Sequence, residues 1–248
     1  MSKCKGILSS FMGWTLVTGG AKRLGAKLCL DLSAEGHSVL VHYRTSKKEA
    51  EEVVETCRSL GAIAEMIQGD FSTMSSTEDF IRVCRTNFPS IRVLINNVGN
   101  YLVKPASKTS IQEWNAIFQS NLYTPFALSS AFLNSLCENR GSIVNIGIAG
   151  LEGMRADIYS TAYMSAKMAL LMLTKSLAKE TASQGLRVNM ISPGYLENAI
   201  DLPQDPAHLP MERAATLDEI SRLVIYLLNE QNNYITGQNI EVAGGVRL

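Results

Sequence analysis

Apolar residues along this chain come in two alternating textures. Short runs rich in β-branched residues, such as Ser38-Val39-Leu40-Val41-His42-Tyr43 and Arg92-Val93-Leu94-Ile95-Asn96, are separated by longer stretches with apolar side chains at helical spacing. The short runs predict strands at Trp14–Val17, Ser38–Tyr43, Ala62–Ile67, Arg92–Asn96, Ser142–Ile146, Leu186–Ile191 and Gln238–Val242. The longer ones predict helices over Leu24–Glu35, Lys47–Leu60, Ser76–Asn87, Ser110–Leu136 and Leu217–Asn229, with another carrying Tyr163 and Lys167. Strands alternating with helices of this length form βαβ units joined by right-handed crossovers. The expected fold is α/β, a single domain over residues 1–248 with a doubly wound, mostly parallel sheet. Ligands of such sheets bind beyond the carboxyl ends of the strands, so the residues that follow each strand carry the chemistry.

Composition narrows the classes. Of 248 residues, 46% are hydrophobic, enough for a substantial core. Lysine plus arginine equals aspartate plus glutamate at 23 each, which argues against a nucleic-acid partner. No apolar run approaches the ~18 residues of a membrane span. Met1 to Trp14 lacks the apolar core and cleavage site of a signal peptide. The five cysteines form no CxxC pair and are expected to be buried, reduced thiols of a cytoplasmic protein. The three histidines are scattered, and no spacing suggests a metal site.

The first strand ends in Thr18-Gly19-Gly20-Ala21-Lys22-Arg23-Leu24-Gly25. Glycines between a strand and a helix let the backbone approach a phosphate, which the helix N-terminus then attracts. Lys22 and Arg23 oppose the dipole there, and a bound anion would reverse that cost. The second strand ends in Tyr43-Arg44-Thr45-Ser46, a guanidinium with hydroxyls where an NAD site would want a carboxylate. This favours NADP(H). The third ends in Gly69-Asp70-Phe71, where Asp70 either accepts from adenine or caps the next helix. After the fourth, Asn96-Asn97-Val98-Gly99-Asn100-Tyr101 can border the cofactor. Asn121 is a poor helix former inside a helical stretch, so it either bends the helix or holds a water. Tyr163 and Lys167, four residues apart, share one helix face. An ammonium beside a phenol favours the phenolate, which makes Tyr163 a candidate general acid near neutral pH.

With Thr18-Gly19, Asp70, Asn96-Asn97-x-Gly99, Asn121, Tyr163-x-x-x-Lys167 and Pro193-Gly194 in that order, the chain resembles the short-chain dehydrogenase/reductase family nearly end to end. Tyr234-Ile235-Thr236-Gly237-Gln238 and Gly244-Gly245 look like the family's final strand. The resemblance implies a Rossmann-type sheet of seven parallel strands, in a homotetramer or homodimer built on the long central helices. It implies hydride transfer between a nicotinamide and a carbonyl or imine carbon. Tyr163 would be the acid, Lys167 its activator and nicotinamide-ribose ligand, and Asn121 the holder of a proton-relay water. Thr18, Gly19, Lys22, Arg23, Leu24, Gly25, Tyr43, Arg44, Thr45, Ser46, Asp70, Phe71, Asn97, Val98, Gly99, Pro193, Gly194, Leu196 and Asn198 are the implied cofactor contacts, and no metal is implied. Arg23, Tyr101, Ile148 and Tyr159 are the candidate substrate residues.

Departures from the family pattern shape the functional reading. Arg23 replaces the middle glycine of the Thr-Gly-x-x-x-Gly-x-Gly loop, which is similar to the pteridine reductases. His42-Tyr43-Arg44-Thr45-Ser46 is similar to the NADPH turn of that branch and of 3-oxoacyl-carrier-protein reductases. The family's catalytic Ser after the fifth strand falls on Ile148, or on Gly150 if counted back from Tyr163, and neither supplies a hydrogen bond. Losing one such donor typically costs ~10²–10³ in rate. Ser160, Thr161, Tyr159, Asp157 and Glu152 are the nearby candidates to replace it. The lid from Ala199 to His208 is short and polar, which favours a compact polar substrate. The expected activity is NADPH-dependent reduction of a small carbonyl or a pterin-like C=N bond. The alternatives are a 3-oxoacyl-carrier-protein reductase and, in another class, a non-catalytic NADPH-binding redox sensor.

Overall fold

A computed structural model describes residues 12–153, 156–199, 202 and 205–246. Cys4, and Asp201 and Pro203 of the lid, lie outside them. Seven strands form one sheet in the order β3-β2-β1-β4-β5-β6-β7, every pairing parallel. They are β1 Trp14–Val17, β2 Ser38–Tyr43, β3 Ala64–Gln68, β4 Ile91–Asn96, β5 Ser142–Ile146, β6 Arg187–Pro193 and β7 Asn239–Val242. The helices are α1 Arg23–Ala34, α2 Lys47–Ser59, α3 Met74–Asn87, α4 Ile111–Phe118, α5 Thr124–Glu138, α6 Thr161–Thr181 and α7 Leu217–Leu228. The strand order reverses between β1 and β4, and that switch point opens a crevice at the carboxyl edge.

Side chains along a strand alternate between faces, so each central strand feeds two cores. On one face Val17, Val39, Val41, Val93, Ile95 and Val144 pack with α1, α2 and α7. On the other Leu16, Leu40, Leu94, Ile143 and Val188 pack with α3, α5 and α6. This explains why the strands read as continuous apolar runs. Three helices open on capping boxes: Thr73 with Ser76, Ser110 with Glu113, and Thr216 with Glu219.

Most boundaries shift by one or two residues from the sequence expectation, and three differences have a clear local cause. Strand β3 begins at Ala64 rather than Ala62. Gly61 takes a left-handed φ of +89°, and Ala62 donates its N–H back to Cys57 O, so those residues finish the α2 turn. Helix α3 begins at Met74, set by its Thr73 cap. The expected helix over Ser110–Leu136 is divided by a π-helical turn, Gln119–Tyr123, with Asn121 at its centre. Pro125 follows in the first turn of α5, where it lacks the N–H to continue a regular ladder. Asn121 therefore marks a break in regular helix, one of its two expected roles.

Leu94 is fully buried on the central strand β4. Truncation to Ala is expected to cost about 2–5 kcal/mol. Urea unfolding should show a lower midpoint at unchanged slope.

Candidate active site

The loop from β1 to α1 is built by close backbone approach. A Cβ at Gly25 would lie 2.0 Å from Gly19 O, so α1 can start against the strand end only with glycine there. Thr18 fixes the loop to β4: its Oγ1 donates to Ile95 O at 3.1 Å and accepts from the Asn97 and Val98 N–H groups at 2.9 and 3.1 Å. Asn97 Nδ2 returns a bond to Thr18 O at 2.9 Å. Arg23, at the first position of α1, has φ +50°, a left-handed conformation that costs a non-glycine residue roughly 1–3 kcal/mol. The first turn of α1 has no side-chain cap and no acidic residue. Its free N–H groups and dipole suit an anion such as a diphosphate. Lys22 forms an ion pair with Glu49 of α2 at 2.6 Å, so it is already partnered. Leu24 turns its side chain into the core, leaving its backbone to face the loop.

A buried histidine ties this loop to the next one. His42 Nδ1 accepts the Gly19 N–H at 2.9 Å, which leaves the proton on Nε2 to donate to Gly69 O at 3.1 Å. Its ring stacks on Phe71 at 4.2 Å and meets Phe80 edge-on at 5.2 Å. Burial lowers the His42 pKa to about 4, with the Gly69 bond and Asp70 pulling the other way. In the sequence His42 is one of three scattered histidines and opens the turn that resembles an NADPH site, with nothing to mark its ring as a link between loops. Its signal was a polar residue at an inward position of an otherwise apolar strand. Phe71 and Tyr43 are buried, so they act from below through packing. Arg44 and Thr45 are exposed at the carboxyl end of β2, and Ser46 starts α2. Asp70 is exposed, and its carboxylate accepts from Ser72 N and Oγ at 3.0 and 2.7 Å; these bonds hold its pKa below the usual range.

At the other side of the crevice, α6 carries Tyr163 and Lys167. Lys167 is 3% exposed, and its Nζ donates to Ile146 O at 2.7 Å. Nζ lies 5.5 Å from the Tyr163 ring centre. Burial lowers the Lys167 pKa to about 7. Among the described residues it has no carboxylate partner. Asn121 sits opposite on the π-turn. Its Nδ2 donates to Asn100 O at 2.8 Å and Ile117 O at 3.0 Å, while its buried Oδ1 has no hydrogen-bond partner among the described residues. A Cβ at Gly99 would lie 2.4 Å from that Oδ1 and 3.4 Å from Lys167 Nζ, so glycine there lets the two polar groups face one cranny. Tyr163 is half-buried, and the Tyr101 ring meets it edge-to-face at 4.9 Å.

The loop after β5 places no hydroxyl or carboxyl at the third position. Ile148 is half-buried and packs with the Leu151–Met164–Met190 cluster. Gly147 N donates to Ile191 O and Ala149 N to Pro193 O, so this loop extends the sheet edge. Gly150 N donates to Glu241 Oε1 at 2.7 Å. The structure puts the candidate replacements to other use. Glu152 pairs with Lys175 at 3.1 Å. Asp157 Oδ1 accepts from the Tyr159 and Ser160 N–H groups and from Ser160 Oγ, and Thr161 Oγ1 donates to Asp157 O. Tyr159 is 69% exposed. Pro193 ends β6, Gly194 follows and donates its N–H to Val242 O, and Leu196 bridges to Ala215. Glu197 Oε1 accepts the Leu217 N–H at the start of α7 at 3.1 Å, and Asn198 follows it in the chain.

The family model for enoyl-(acyl carrier protein) reductase matches residues 19–247. The 3-oxoacyl-(acyl-carrier-protein) reductase of Staphylococcus aureus is 30% identical over 239 residues, covering 93% of this chain and 96% of that one. A blue fluorescent protein from a metagenomic library, solved in complex with NADPH, superposes with a TM-score of 0.87 at 26% identity, over 95% of this chain and 98% of that one. Acetoin dehydrogenase from Enterobacter cloacae superposes with a TM-score of 0.86 at 27% identity, over 95% and 96% of the two chains. The chain belongs to the short-chain dehydrogenase/reductase family. It is thus an oxidoreductase of a family that works with nicotinamide cofactors on small molecules. None of its described helices is long and apolar enough to cross a membrane.

His42 gives a pH signature. Unfolded, it takes a proton below about 6.5; folded, it stays neutral to about 4. Between those values the unfolded chain binds more protons, so this contribution to stability falls as pH drops. His42→Asn should be less stable than the parent at pH 7. The gap in urea midpoint should shrink on going to pH 4, and a constant gap would contradict the burial of a neutral ring.

Proposed function

We propose that this chain is an NADPH-dependent reductase of a small carbonyl substrate, with Tyr163 as the general acid. The observation that carries the reading is the buried Lys167, one turn from Tyr163 and facing the unpartnered Asn121 Oδ1 across Gly99. A buried ammonium without a carboxylate is costly, and a site that keeps one beside a phenol has a use for it. When bound, the cofactor supplies the hydride. Tyr163 then passes its proton to the substrate oxygen. Lys167 holds the phenol ready and binds the nicotinamide ribose, and Asn121 Oδ1 orients a water toward Lys167. The uncapped start of α1, with Gly19, Arg23 and Gly25, receives the diphosphate. Asp70 takes the adenine side, while Asn97, Val98, Gly99 and the Pro193–Asn198 segment border the nicotinamide half.

The choice of NADPH rests on Arg44, Thr45 and Ser46. They are polar and open at the end of β2, where an NAD site carries a carboxylate. The relative solved with NADPH supports it. A 3-oxoacyl thioester is the second reading of the substrate, favoured by the relative of that name at 30% identity. The pterin-like substrate rests on Arg23 and on the likeness of the turn from His42 to Ser46 to that of the pteridine reductases. A homodimer or homotetramer through the central helices is supported by exposed Phe126 on α5 and Met172 on α6.

The test is NADPH oxidation with 2,3-butanedione, an acetoacetyl thioester and dihydrobiopterin. One of these carbonyl or C=N substrates should be turned over, and Tyr163→Phe should lose at least ~10²-fold in kcat, the scale of a lost general acid. NADPH binding with no turnover across the panel would favour the sensor instead. Arg44→Ala should raise the Kd for NADPH roughly tenfold and leave that for NADH unchanged, as expected for loss of a charge-assisted phosphate contact. Equal use of both cofactors by the parent would refute the assignment of Arg44.

A further inference from the structure

We propose that Tyr101 supplies the hydrogen bond that Ile148 cannot, its phenol donating to the substrate oxygen alongside that of Tyr163. This rests on the reading of Tyr163 as the acid.

The need comes from the loop after β5. An oxygen that gains negative charge during hydride transfer is stabilised by donors already in place, and one donor is worth about 10²–10³ in rate. Ile148 offers none. The hydroxyls at the start of α6 are committed: Ser160 Oγ donates to Asp157 Oδ1 at 3.2 Å and Thr161 Oγ1 to Asp157 O at 2.7 Å. Both bonds belong to the turn that starts the helix.

Tyr101 comes from the other wall of the crevice, the loop after β4. Its ring lies 4.9 Å from that of Tyr163 at an interplanar angle of 81°, and it is 37% exposed. The residue before it is fixed by both backbone groups. Asn100 N donates to Ser120 Oγ at 3.1 Å, and Asn100 O accepts from Asn121 Nδ2 at 2.8 Å. Both anchors belong to the π-turn, whose Asn121 turns its other side-chain atom toward Lys167. One local departure from regular helix therefore sets the backbone that presents Tyr101 as well as the cranny beside Lys167. The Tyr101 ring thus meets the Tyr163 ring from a backbone anchored one residue before it. A phenol is ordinarily protonated at neutral pH, so it is a competent donor. Such a donor reaches the substrate from the β4 side instead of the β5 side. A missing serine then becomes a change in where the second donor comes from, without loss of chemistry.

The test uses the full chain with NADPH and whichever of 2,3-butanedione or the acetoacetyl thioester the parent turns over faster. Tyr101→Phe keeps the ring and removes only the hydroxyl. It should lower kcat on the order of 10²-fold, with the NADPH Kd and the melting temperature unchanged. Adding Ile148→Ser to Tyr101→Phe should recover part of the lost kcat, because it restores a hydroxyl on the opposite wall. Parent-like kcat in Tyr101→Phe overturns the proposal, as does a loss of kcat matched by an equal loss of NADPH affinity, which marks a purely structural role. If Tyr163→Phe is as active as the parent, the reading of Tyr163 fails first and the proposal with it.

Discussion

The arrangement depends on one buried ammonium. Lys167 lies in the first turns of α6, almost out of solvent, and donates to the last carbonyl of β5. That bond is available because Ile146 O sits at the sheet's carboxyl edge, one residue past the last β4–β5 pair, Asn96 with Asn145. Burial without a counter-charge brings the lysine pKa to about 7, so its charge becomes responsive to what binds nearby. A surface lysine at the same spacing from Tyr163 would be a solvated cation with little effect on the phenol. The sheet edge therefore turns a common helical spacing into a chemical pair.

Around this pair the chain departs from regular geometry in places that serve the crevice. The π-turn at Gln119–Tyr123 puts Asn121 into the cranny beside Lys167. Arg23 takes a left-handed φ at the start of α1, and its strain is carried by a loop pinned through Thr18 and His42. His42 ties the loop after β1 to the loop after β3 through Gly19 and Gly69, so the two loops proposed to receive the diphosphate and the adenine are joined by one buried ring. Strained or irregular backbone survives only where neighbours over-determine it, and here those neighbours are the buried side chains of β2 and the core beneath Phe71.

Much of this was legible in the sequence for local reasons. Strands such as Val39-Leu40-Val41 feed two cores and so read as apolar runs. Tyr163 and Lys167 share a face because a helix repeats every 3.6 residues. The glycine loop between strand and helix was recognisable by its composition. What escaped depends on partners distant in the chain. The role of His42 arises only when Gly19 and Gly69 are brought to either side of its ring. Asn121 announced itself as a poor helix former, but the extra residue of a π-turn has no local marker. Ala62 and Ile63 looked like strand until Gly61 used them to leave α2. Near the missing serine, the sequence neighbours Asp157 and Ser160 were natural candidates, yet they bond to each other to start α6. Tyr101 reaches Tyr163 only through the parallel packing of β4 beside β5, which no spacing along the chain reveals.

Lys167 is a buried ammonium with no carboxylate partner among the described residues, and desolvation sets its proton affinity. An NMR titration of selectively labelled lysine, assigned with Lys167→Met, reads that quantity directly in the cofactor-free protein. One lysine should titrate near pH 7 in the parent and be absent from the variant. A Lys167 resonance that titrates near the ordinary lysine value of about 10.4 would contradict it.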